Sequence, residues 1–153
     1  MTTSRYRRRF LAAGAAVAFA VQSRIARAQL TVQPLEPLIA KVTGGANPRA
    51  GRVTLEIPRL ADNGHAVPLK ISVSSPMTER DHVRTIHVLS ERNPRPLIAV
   101  FHMNAHCGRA DISTRVRLNG SQRIVVIAGL SDGSWWSGSA QVEVTETACL
   151  DAT

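Results

Sequence analysis

Between Gly51 and Thr145, apolar side chains recur at every second position in short runs, and a turn-forming cluster cuts each run. Val53, Leu55 and Ile57 alternate up to Pro58. Val67, Leu69, Ile71 and Val73 alternate up to Ser75-Pro76, with Pro68 confining that run to an edge or a strand end. Ile86 and Val88 lead into Asn93-Pro94-Arg95-Pro96, and Ile112, Thr114, Val116 and Leu118 lead into Asn119-Gly120. Val142 and Val144 alternate with Glu143 and Thr145 in the last run. A period of two puts successive side chains on opposite faces, as in a strand with one face buried. Leu97 to Met103 and Ile124 to Ala128 are instead apolar nearly throughout, and Asp62-Asn63-Gly64 and Ser131-Asp132-Gly133-Ser134 supply further turns. Seven or so short strands, with turns roughly every ten to fifteen residues, predict an all-β, immunoglobulin-like antiparallel β-sandwich. No cysteine pair stands at immunoglobulin spacing around a core tryptophan, so the antibody-type disulfide is not expected.

The chain opens differently. Arg5, Arg7, Arg8 and Arg9 precede an apolar run from Phe10 to Val21, and Ala26-Arg27-Ala28 forms an A-x-A cleavage site before Gln29. About twelve apolar residues are too few to span a bilayer as a helix, which takes about twenty. Arg7-Arg8-Arg9-Phe10-Leu11 fits the R-R-x-F-L pattern of twin-arginine export. Residues 1–28 are therefore expected to be a twin-arginine-type signal peptide, residues 29–145 a sandwich domain in the periplasm, and residues 146–153 a C-terminal arm. Within 31–45, Leu35, Leu38, Ile39 and Val42 recur at helical spacing until Gly44-Gly45, which predicts a short N-terminal helix packed on the domain.

Removing the leader changes the charge. The chain has 19 Lys+Arg and 11 Asp+Glu, but residues 1–28 hold six arginines and no acid, which leaves 13 − 11 = +2. So small an excess provides no footprint for nucleic acid or an anionic membrane surface. Trp135 and Trp136 follow the Asp132-Gly133 turn, and as strand neighbours they are expected to face opposite ways, one into the core and one to the surface.

The candidate chemistry lies in two places. Cys149 follows the last strand within a few residues, where a thiol contributes little to packing and calls for a chemical reason. His102, His106 and Cys107 form the second group, of types that ligate zinc or copper. On a straight strand, His102 and His106 would stand ~13 Å apart, so a shared metal requires a turn between Asn104 and Gly108. A disulfide between Cys107 and Cys149 is a further possibility for an exported chain.

These residues together resemble the SoxY family, the sulfur-carrier subunits of the periplasmic thiosulfate-oxidising (Sox) system. The resemblance runs through IAKVTGGANPRAGRVTLEIP, DNGHAVPLKISVSSPMTERDHVRTIHVLSERNPRPLIAVFH, GRADISTRVRL and IAGLSDGSWWSGSAQVEVT. It implies a sandwich that pairs with a SoxZ subunit as a heterodimer and meets Sox pathway enzymes. It also implies a protein that is itself no enzyme, with no cofactor beyond sulfur held covalently on Cys149. The family ending is glycine-rich around this cysteine, whereas here Thr147 and Ala148 precede it and Leu150 and Asp151 follow. Glycine gives backbone freedom and keeps space beside the sulfur clear, so the arm here is stiffer and wider. Two other readings stand beside the carrier: a metal-binding module built on His102, His106 and Cys107, and a structural sandwich whose Cys149 is idle or bridged.

Overall fold

The computed structural model describes residues 32–146. The signal-peptide expectation for residues 1–28 and residues 147–153 lie outside this range.

The helix forms where the periodicity placed it. Helix α1 (Glu36–Thr43) has Pro37 in its first turn, where a missing N–H costs nothing, and Gly44 ends it in the left-handed region at φ 65°. The Gly45 N–H closes the cap on the Ala40 carbonyl at 2.8 Å.

Nine strands follow: β1 (Arg49–Ala50), β2 (Val53–Glu56), β3 (Leu60–Asn63), β4 (Val67–Val73), β5 (Val83–Ser90), β6 (Leu97–His102), β7 (Ala110–Val116), β8 (Gln122–Leu130) and β9 (Trp135–Glu146). Seven of them, all but β1 and β3, correspond to the seven alternating or apolar runs. One sheet has the order β1-β9-β8-β5-β6, with β3 also on β9, and the other has the order β2-β4-β7. All pairings among the seven are antiparallel, while β1 and β3 each lie parallel to β9.

The two sheets differ in what covers them, and that difference explains the two kinds of apolar run. In β4, Val67, Leu69, Ile71 and Val73 face inward and Pro68 and Lys70 are exposed, because the small sheet has one wet face. Strand β8 is buried almost throughout. Ile124, Val126 and Ala128 fill the core between the sheets, while Val125 and Ile127 join Leu35 and Leu89 in a second cluster with Leu38, Ile39 and Val42 of the helix segment. A strand covered on both faces is apolar at both parities.

The tryptophan expectation is corrected by the same cover. Trp135 and Trp136 do face opposite ways, but both are half-buried. Trp135 packs on the helix-side cluster, and Trp136 packs at the edge of the main core beneath the guanidinium groups of Arg49 and Arg52, 4.7 and 5.2 Å from the ring centroid. Among the described residues, no helix is long and apolar enough to cross a membrane.

Candidate functional site: the root of the C-terminal arm

Cys149 and its neighbours Thr147, Ala148, Leu150 and Asp151 lie outside the described residues. Their root does not. Strand β9 runs through Glu146, so the sandwich extends one residue into the span assigned to the arm.

The last residues of β9 are held on both edges. On one side the β8 ladder ends at Gln122 opposite Val142. Ser121 then takes over: its Oγ accepts from the Val144 N–H at 2.9 Å and donates to the Val144 carbonyl at 3.3 Å. On the other side β3 pairs in parallel, with Leu60 opposite Glu143 and Asn63 opposite Glu146. The Gly64 N–H bonds the Glu146 carbonyl at 2.8 Å, and the Gly64 carbonyl in turn accepts from the Leu118 N–H at 2.8 Å. The Thr145 hydroxyl bonds the carbonyl of Asp62. The end of β9 at Glu146 is therefore a fixed point of the domain.

A buried polar network stiffens the loops around that point. Asn93 Oδ1 accepts from the Asn119 N–H at 2.9 Å and from Gln122 Nε2 at 3.2 Å, and Asn93 Nδ2 donates to the Arg117 carbonyl at 2.7 Å. Gln122 Oε1 accepts from the Ser90 hydroxyl and, at 3.0 Å, from the Arg92 N–H. Buried amides satisfied in this way tie the loop after β5 to the loop after β7.

The other candidates occupy the opposite end. His102 ends β6 opposite Thr85, and the Met103 N–H bonds the Arg84 carbonyl at 2.9 Å. The turn that the spacing required is present: Ala105–Cys107 forms a short 3-10 helix capped by Asn104, whose Oδ1 accepts from the His106 N–H at 2.9 Å. His102, His106 and Cys107 are all exposed. Among the described residues, no group of three or more His, Cys, Asp or Glu comes together to hold a metal ion. The turn thus forms without gathering a ligand set.

The same topology bears on the disulfide. Cys107 sits by the Trp135 end of β9, and the arm leaves by Glu146, 146 − 135 = 11 residue steps away. At ~3.3 Å per step the two ends are on the order of 35 Å apart. The disulfide expectation also needs Cys149, which lies outside the described residues.

Sequence reasoning missed His87. It lies half-buried on the helix side of β5, its ring centroid 6.2 Å from that of Trp135, with Nδ1 buried and lacking a hydrogen-bond partner. Burial, with a smaller contribution from nearby His102, lowers its pKa below the ordinary imidazole value. Nothing in the period-2 pattern distinguishes this histidine from an exposed one, because the Trp135 ring beside it comes from β9, far along the chain.

The described chain is a two-layer sandwich whose terminal strand is clamped on both edges up to Glu146. The family described as "Sulfur oxidation protein SoxY" matches residues 39–149. The chain belongs to the SoxY family and is a protein of the sulfur-oxidation (Sox) system. Among solved structures, the sulfur carrier protein SoxY from Chlorobium limicola f. thiosulfatophilum matches with a TM-score of 0.60 at 24% identity, over 72% of this chain and 96% of that one. A superoxide reductase (neelaredoxin) from Ignicoccus hospitalis matches with a TM-score of 0.55 at 14% identity, over 78% of this chain and 98% of that one. A putative superoxide reductase from Thermotoga maritima matches with a TM-score of 0.55 at 21% identity, over 65% and 89%. At these identities the likeness is one of fold. No curated protein sequence matches the chain.

Proposed function

We propose that the protein is a periplasmic sulfur carrier that holds oxidation intermediates covalently on Cys149 and presents them to partner enzymes. The observation that carries this reading is that the family match extends to residue 149, three residues beyond a strand end clamped on both edges. The protein catalyses nothing itself. Joining a thiol to the outer sulfur of thiosulfate makes one S–S bond and releases a proton and two electrons, so an oxidising partner must take the electrons. Thr147, Ala148, Leu150 and Asp151 form the flanking arm, and a SoxZ-like subunit completes a heterodimer. The test is reconstitution: thiosulfate and the cognate oxidising enzymes should raise the intact mass of the mature chain by one thiosulfate-derived adduct. A chain that keeps its unmodified mass under turnover would refute the carrier reading.

Export follows the twin-arginine route in this account. Changing Arg7 and Arg8 together to Lys should strand the precursor in the cytoplasm, since that receptor reads the guanidinium pair. Normal amounts of processed periplasmic protein would point to general secretion instead.

A further inference from the structure

We infer that the sulfur-processing partners dock on the end of the sandwich that surrounds Glu146, through an acidic rim that meets Arg95 and Arg117. The inference rests on the Cys149 reading and names where its partners bind.

The first argument is covalent reach. With β9 held to Glu146 by Ser121, Gly64 and β3, Cys149 has only the three residues beyond Glu146 in which to extend, or ~10 Å. An enzyme that acts on its sulfur must bring its reacting group inside that radius. The surfaces that close on such an enzyme are the loops 62–66, 91–96 and 117–121, which surround the root. The Cys107 end lies on the order of 35 Å away along the strand and takes no part.

The second argument is charge. The bond chain Glu146–Gly64–Leu118 puts Arg117 two strand spacings from the root, ~10 Å. The bond from Asn93 Nδ2 to the Arg117 carbonyl brings the Pro94-Arg95-Pro96 loop alongside. Arg95 and Arg117 are exposed, and neither has an ion-pair partner among the described residues. Arg92 is half-buried between them and the network, its guanidinium donating to the Ser121 carbonyl at 2.9 Å. Near the root, the acids Asp62 and Glu146 lie on the β3 side with Arg59 beyond them, whereas the acid of loop 91–96, Glu91, is paired with Arg123 at 2.7 Å, which leaves Arg95 and Arg117 uncompensated on their flank. Unpaired arginines on loops stiffened by buried amides make a pre-organised cationic face, and a complementary acidic rim speeds encounter and fixes orientation.

The experiment measures the initial rate of sulfur loading by the cognate thiosulfate-oxidising enzymes against carrier concentration, with the full mature chain. Arg95→Glu with Arg117→Glu should raise KM about tenfold, leave kcat within about twofold and flatten the salt dependence of kcat/KM. Arg80→Glu with Arg84→Glu, at the other end, should leave KM unchanged. A methanethiosulfonate reagent should label Cys149 at the wild-type rate in every variant, showing that the thiol itself is unaltered. An unchanged KM in the Arg95/Arg117 variant overturns the inference. So does a fall in kcat at constant KM, which would put the arginines on the cargo, or an equal effect from the distal pair. Loading that survives Cys149→Ser sinks the carrier reading itself, a result separate from all of these.

Discussion

Cys149→Ser is expected to reduce sulfur loading to background while leaving the fold and partner binding intact. Serine keeps the shape but has no sulfur to form the S–S bond, so the loss should be complete and not graded. Stability should change by well under ~1 kcal/mol, because exchanging a thiol for a hydroxyl is nearly isosteric and alters none of the residues that build the two core clusters among the described residues. Cys107→Ser is the internal control. That thiol is exposed in the Ala105–Cys107 turn, at the opposite end from the arm, so loading and thermal midpoint should both stay at wild-type values. Loading that disappears with Cys107 and persists without Cys149 would move the carrier role to the wrong end of the molecule and overturn the assignment.

The second large effect concerns the scaffold. Gly138 lies in β9 opposite Val126, and a Cβ placed there would stand 2.7 Å from the backbone oxygen of Val53 and 2.8 Å from a methyl of Leu55. The backbone oxygen cannot swing aside as a side chain does, so β2 must move away from β9 and open the main core at its edge. Gly138→Ala should cost about 2–3 kcal/mol, and Gly138→Val more. For a domain of this size that is a fall of roughly 10 °C in Tm. Gly133→Ala offers a contrast: its Cβ would meet nothing within 4 Å, and only the positive φ of 82° is unfavourable. It should cost about 1 kcal/mol. Equal losses at the two glycines would show that the close approach of β2 and β9 does not matter.

The strands that were legible in the sequence are those whose burial is decided locally. Val67 to Val73 alternates because one face of the small sheet is wet, and the pattern needs no knowledge of the partner strand. Strand β3 had no such signal. Leu60-Ala61-Asp62-Asn63 contains two poor strand formers, and its pairing with Glu143 to Glu146 joins residues over eighty positions apart. Asp62-Asn63-Gly64 reads as a turn, yet Asp62 and Asn63 end β3 and the chain bends only at residues 64–66. The same long-range pairing hid the most useful feature of the site, the clamp on the arm root. Ser121 reads as an ordinary turn residue until Val144 is found beside it. The tryptophan pair illustrates the limit in the other direction: opposite orientation followed from strand geometry, but the outer ring's cover came from a helix a hundred residues earlier. The histidine–cysteine group matched metal chemistry by residue type, and three-dimensional placement at one exposed end did not assemble it.

The most direct test of the central claim is peptide-resolved mass measurement of the protein taken from periplasm during growth on thiosulfate. The account predicts sulfane or thiosulfonate adducts on the peptide that contains Cys149, removed by mild reduction, and an unmodified Cys107 peptide from the same sample. Adducts confined to Cys107, or a Cys149 peptide that is unmodified throughout active sulfur oxidation, would contradict it.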